Sequence, residues 1–223
     1  MIALPALLSV GVPPQIALGT NKFQSSFGSF TASLYYWRKG LVDLQKARAG
    51  ILFTFIGATI GAWAVQQLQT EILNDIIPVL LCIIALYTIL TPSLGYRERV
   101  PRIGAGLFFV FAGIAFGFYD GFFGPGVGSF WAIAFVLLLG FDLQRATGYT
   151  KVMNFASNIL SLIVFAIGGS IWLLHGVIMA IGQIMGARIG ARLAVKRGIT
   201  VIRPLYIIVV LATIAKLLYN RFI

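Results

Sequence analysis

Gly57-Ala58-Thr59-Ile60-Gly61-Ala62 returns 129 residues later as Gly186-Ala187-Arg188-Ile189-Gly190-Ala191, identical at five positions of six. The same offset carries Gly11 to Gly140, Ala17 to Ala146, Gly19 to Gly148, Lys22 to Lys151 and Gly40 to Gly169, without a gap. Glycine and alanine coincide cheaply in this chain, but lysine is scarce. One register held over most of the sequence identifies an internal duplication. The two boxes are small-xxx-small motifs, whose expected job is to let helix backbones approach closely.

The duplicated unit is built for lipid. Apolar residues make up 59% of the 223 positions and charged residues 10%, against roughly 25% charged in soluble domains. A net charge of +11 would suggest nucleic acid in a soluble protein. Here the cations sit in short connections between long apolar runs, with no basic face or interleaved aromatics, so nucleic acid is excluded as a partner and the lipid bilayer takes its place. The lone Cys82 excludes a disulfide framework and a thiolate metal site.

A bilayer core of about 30 Å needs roughly 20 apolar residues per helix. Residues 16–37, 48–69, 72–91, 148–169, 170–195 and 201–220 qualify. The stretches 1–11, 104–120 and 129–140 are shorter, and the last two flank the breaker Gly121-Phe122-Phe123-Gly124-Pro125-Gly126-Val127-Gly128. Irregular backbone at membrane depth is tolerated only where protein buries it or a cavity hydrates it, so this breaker reads as a functional loop. The start lacks the basic region of a cleavable signal peptide.

Loop charge sets orientation. The connections holding Arg38, Lys39, Lys46 and Arg48, then Arg97, Arg99 and Arg102, then Lys196, Arg197 and Arg203 are assigned to the cytoplasm, whereas Glu71–Asp75 and Gly168–His175 carry no cation. Lys216 and Arg221 fall near the opposite face and run against this pattern. Under the offset of 129 the basic loop after residue 38 corresponds to the uncharged loop after 168, and the acidic loop at Glu71 to the basic one at Lys196. Equivalent loops then lie on opposite sides, as in inverted-repeat secondary transporters. The fold expected is an all-α polytopic membrane bundle of two inverted repeats with broken or half-length helices: 1–94, a cytoplasmic linker 95–103, and 104–223. Because Met1 maps onto Phe130, residues 104–129 have no first-repeat counterpart, and the first repeat is expected to be N-terminally incomplete.

Ionisable groups inside a membrane are costly and are candidates for function. Lys22, Ser25 and Ser29 fall at i, i+3 and i+7 of one helix, and Lys151, Asn154 and Asn158 repeat the spacing on its mate. The two polar stripes are expected to face each other. Asn21, Thr20, Ser26 and Thr150 add donors near the predicted helix N-termini, where the dipole favours an anion. The competing account has the stripes hydrogen-bonding helix to helix, with the lysines snorkelling outwards. Gly124, Gly126 and Gly128 offer a nest of backbone N–H groups to the same anion. Asp120, just before them, is read either as the partner of a lysine or as a proton carrier. Nothing here is a nucleotide loop, a metal cluster or a nucleophile–base pair, so no cofactor, metal or catalytic residue is assigned and an enzyme is disfavoured. Arg188 and Arg192 read as snorkelling groups, Gln183 as a polar helix contact, and His175 carries no role.

Phe118-Tyr119-Asp120-Gly121-Phe122-Phe123-Gly124-Pro125 followed by Gly128-Ser129-Phe130, with Thr20-Asn21-Lys22, Asn154–Asn158, Gly168-Gly169 and Gly182-Gln183 through Arg188, resembles the sulfite exporter TauE/SafE family, also called the 4-toluene sulfonate uptake permease family. The resemblance covers essentially the whole chain and is closest to multi-pass members of the bacterial inner (plasma) membrane. It implies export or uptake of sulfite, sulfonates or related organosulfur anions, coupled to an ion or proton gradient. Family members carry a first-repeat Asp and Gly-rich motif ahead of the segment that starts here at Met1. A non-transporting membrane scaffold or assembly subunit is the alternative.

Overall fold

The computed structural model describes residues 3–90 and 100–197, which form eight helices and, among the described residues, no strand. They are α1 (Ala3–Ser9), α2 (Pro14–Arg38), α3 (Leu44–Gln66), α4 (Thr70–Leu90), α5 (Ala105–Phe122), α6 (Val127–Leu138), α7 (Leu143–Ile167) and α8 (Leu173–Arg197). The predicted span 201–220, with Arg97, Arg99, Arg203, Lys216, Arg221 and the side chains of Cys82 and Arg197, lies outside what is described.

Helices α3, α5, α7 and α8 are each long and apolar enough to cross a membrane. At 12 residues α6 rises only about 18 Å, roughly half a bilayer core. It follows α5 after a break of four residues, Phe123 to Gly126, shorter than the eight-residue breaker expected. Side chains such as Trp63, Phe111 and Ile178, each 60% or more exposed, would cost solubility in water. In lipid they face their own solvent.

Two boundaries move from their expected places for one reason. Asp43 Oδ1 accepts from the backbone N–H of Gln45 (3.0 Å) and Lys46 (3.2 Å), and Asp142 Oδ1 from Gln144 (2.8 Å) and Arg145 (2.9 Å). These N-caps start α3 and α7 four and five residues earlier than hydropathy alone suggests. Lys46 and Arg48 are therefore helical rather than in the loop. Glu71 and Asp75, expected in a connection, lie in the first two turns of α4.

The sequence repeat has a geometric counterpart. Adding 129 to the bounds of α2 gives the bounds of α7, and the positive-φ glycines that end these helices, Gly40 (φ 71°) and Gly169 (φ 66°), are an equivalent pair. Contacts between α2 and α7 are reciprocal as well. Gly19 meets the Cβ of Phe165, and Gly148 meets the Cβ of Tyr36; each would place its own Cβ 3.2 Å away. Trp172 N–H donates to Thr20 Oγ1 (2.9 Å), and Asp43 N–H donates to Tyr149 Oη (3.3 Å). In every case both partners shift by 129 and exchange helices, which is the signature of a local twofold relation. The pairings 19 with 165, 30 with 155 and 36 with 148 make α2 and α7 antiparallel. The loops 39–43 and 168–172 therefore lie at opposite ends of the pair.

The first small-residue box packs as expected. Gly57 and Gly61 of α3 lie against the backbone of Ile114, Phe118 and Phe122 in the parallel helix α5, whose Gly113, Gly117 and Gly121 lie against Phe53, Thr54 and Ala58 in return; a Cβ on Gly117 would sit 2.6 Å from the Thr54 carbonyl oxygen. Only bare backbones come so close. The second box has no such partner among the described residues, none of which lies within 4 Å of a Cβ built on Gly182, Gly186 or Gly190. Helix α8 packs chiefly on α2, so Gly186, Ala187, Gly190 and Ala191 line a cavity instead of a helix contact.

Candidate functional site

Helix α2 turns much of its polarity inwards: Thr20, Lys22, Gln24, Ser26 and Ser33 are all buried. Its neighbour α7 buries Thr150, Ser157, Asn158 and Ser161. Between them, closed by the α5–α6 break and by α8, is a cavity of about 550 Å3. Nine of the ten anticipated residues line it: Asn21 and Ser25 from α2, Lys151, Asn154 and Asn158 from α7, and Asp120, Gly124, Gly126 and Gly128 from the break. Ser29 joins them, so the two stripes share one space.

Lys22 is the exception. Its ammonium is 1% exposed and forms an ion pair with Asp120 Oδ1 at 2.7 Å, while donating a second hydrogen bond to the Asp120 backbone carbonyl. Asp120 Oδ2 accepts from the Ser157 hydroxyl. Of the two roles considered for Asp120, lysine partner is the one its geometry displays. The carboxylate has both oxygens engaged, by α2 on one side and α7 on the other, one turn before the helix breaks.

Gly124 completes this arrangement. Its φ of +99° belongs to the left-handed region, and a Cβ there would lie 2.8 Å from both Lys22 Nζ and Asp120 Oδ1. Only hydrogen fits between the loop and the ion pair. Tyr119 Oη donates to the Pro125 carbonyl at 2.6 Å and pins the loop.

Lys151, the repeat equivalent of Lys22, has no ion pair or hydrogen bond among the described residues. Beside it, Asn154 Oδ1 and Thr150 Oγ1 are buried without a partner. Buried polar atoms are seldom left unsatisfied, and Asn154 borders the open cavity rather than packed side chains alone. Matched sequence positions thus hold two different states, one lysine neutralised and one bare.

Several expected donors are elsewhere. Thr20 receives the Trp172 N–H, and Ser26 bonds the Lys22 carbonyl at 2.8 Å. The dipole argument for residues 20–22 and 150 does not hold: α2 and α7 begin at 14 and 143, so these positions are two turns inside, beyond the reach of the terminal dipole. The helix start beside the cavity is that of α6. Sequence reasoning missed Ser157, one position before Asn158, and missed Gln24 and Thr147, which line the cavity together with Gln183, read above as a polar helix contact. Gln183 Oε1 would lie 2.7 Å from a Cβ on Gly28, which explains the glycine there. Arg188 and Arg192 are exposed.

The model of the sulfite exporter TauE/SafE family matches residues 1–217. The probable membrane transporter protein YfcA of Escherichia coli K12 is 43% identical over 220 residues, covering 99% of this chain and 82% of that protein. A probable membrane transporter protein of Haemophilus influenzae is 41% identical over 221 residues, covering 99% of this chain and 87% of its own. YjnA of Bacillus subtilis, also a probable membrane transporter protein, is 23% identical over 202 residues. No solved structure matches. With apolar helices of spanning length and near-full-length relatives of this kind, the chain is a multi-pass protein of the bacterial inner membrane and belongs to the sulfite exporter TauE/SafE family of membrane transporters.

Proposed function

We propose that the protein is a secondary transporter that moves a small sulfur oxyanion or sulfonate through the α2–α7 cavity. One observation carries the reading: Lys151 lies in that cavity without a counterion among the described residues, and Asn21, Ser25, Asn154 and Asn158 of the same cavity are neutral hydrogen-bonding groups. Lys22 and Asp120 cancel, so the local balance is a single positive charge, suited to a monoanion. The family name, sulfite exporter, supports the sulfur chemistry.

In this reading residues 1–94 and 104–223 are inverted repeats joined by 95–103, with Arg38 and Lys39 at the cytoplasmic end. The reciprocal contacts of α2 and α7 support it. Such symmetry lets two related halves rock about a site at their interface and expose it alternately.

Purified protein in liposomes tests the function. Labelled sulfite flux should fall on Lys151→Ala, which removes a charge-assisted hydrogen bond of about 1.5–3 kcal/mol, roughly 10- to 100-fold in affinity. Lys151→Arg should retain more flux. Wild-type liposomes that carry neither sulfite nor a sulfonate would turn the reading toward a scaffold. Equal flux in wild type and Lys151→Ala would move the site elsewhere.

A further inference from the structure

We propose that the Lys22–Asp120 pair is the proton site that couples anion movement to a proton gradient. The inference rests on the anion reading of the cavity and adds a second ligand to it. Three features of the pair support it. Asp120 is the one carboxylate that lines the cavity among the described residues. It sits in the last turn of α5, beside a loop with positive φ at Gly124 and Gly126. It also joins α2 of the first repeat to α5 and α7 of the second, through Lys22 and Ser157.

The charges make the coupling. With the pair intact, Lys22, Asp120 and Lys151 sum to +1. A proton taken from water by the Asp120 carboxylate gives a neutral carboxylic acid, leaves Lys22 as an ammonium without its counterion, and raises the sum to +2. The bare ammonium lies 2.8 Å from where a Cβ on Gly124 would sit, and Gly124 lines the cavity. An anion in the cavity is then held more tightly, and by reciprocity the bound anion holds the proton more tightly by the same factor. Loss of the proton to water on the other side restores the ion pair and weakens the anion. One proton crosses with one monoanion, so the membrane potential neither drives nor opposes the step.

The other groups around Asp120 are few. Helix α2 presents Lys22, and α7 presents Ser157 and, across the cavity, Lys151. Helix α3 presents Thr54 and Ala58, α1 and α6 contain no ionisable side chain, and Arg188 and Arg192 of α8 are exposed and absent from the cavity wall. One phenol stands nearby, Tyr119, bonded to Pro125, whereas Tyr36 is in the cavity wall about four turns along α2 from Lys22.

The test is pH-difference infrared spectroscopy of the full chain in lipid, with methanesulfonate as probe because a sulfonate stays ionised throughout. A protonated-carboxyl band should grow as the pH falls, vanish in Asp120→Asn, and shift its midpoint to higher pH when methanesulfonate is added. Should Asp120→Asn fail to fold, Ser157→Ala keeps the ion pair and removes the hydroxyl that stabilises the carboxylate, so the midpoint should rise. A chain with no Asp120 band at any pH overturns the proposal and leaves the anion reading standing. Bound labelled methanesulfonate with an unmoved midpoint overturns the coupling alone. No bound methanesulfonate or sulfite overturns both.

Discussion

Replacing Lys22 by methionine keeps most of the side-chain volume and removes the charge that holds Asp120. At 2.7 Å and an effective dielectric of about 20, the gross attraction is roughly 6 kcal/mol. Most of this offsets the desolvation of two ions whose side chains are 1% and 3% exposed, so the net worth of the pair is small. Breaking it is another matter. Lys22→Met strands a buried carboxylate, at a cost of about 3–5 kcal/mol, and Asp120→Asn strands a buried ammonium at a similar cost. The double variant strands neither. Its loss should be no larger than that of either single change, giving an interaction energy of about 3 kcal/mol, more than 100-fold in the folding equilibrium. The assay is a double-mutant cycle by unfolding in mixed micelles. Single effects that add in the double variant to within about 0.5 kcal/mol would refute the idea that the two groups are a buried pair that neutralise each other.

Other outcomes follow from the same coordinates. Gly117→Ala puts a methyl 2.6 Å from the Thr54 carbonyl oxygen and should lower stability by about 1–3 kcal/mol, whereas Gly186→Ala meets none of the described residues within 4 Å and should be neutral or, through helix propensity, gain up to about 1 kcal/mol; thermal unfolding in detergent compares them. Gly124→Ala imposes a strained backbone at φ +99° and a clash with the ion pair, so about 1–3 kcal/mol of stability and most of the sulfite flux should be lost. The Asp43 carboxyl is held below its ordinary range, first by the Lys46 backbone N–H and then by that of Gln45. Its contribution is complete above the unfolded carboxylate value of 3.8 and disappears as pH falls through the lower folded value. Asp43→Ala should therefore lower the Tm at neutral pH and match wild type in strong acid.

The helices and the repeat were legible because they rest on local and one-dimensional facts. Runs of apolar residues as long as a bilayer is thick, a glycine that stops α2 and another that stops α7, and one offset linking Lys22 to Lys151 are all written along the chain. The caps are written there too, in Asp43-Leu44-Gln45-Lys46 and Asp142-Leu143-Gln144-Arg145, but a reading by hydropathy does not register them. What the tertiary structure alone decided is how equivalent residues diverge. Lys22 and Lys151 share a spacing and a pattern, yet α5 brings Asp120 against the first and no described helix brings an acid to the second. The Gly-Ala boxes share five letters of six, yet α5 fills the groove of one and a cavity borders the other. A repeat determines which residues correspond. Which of them are neutralised, covered or left open depends on the helix that packs beside each copy, and that neighbour stands far away in sequence.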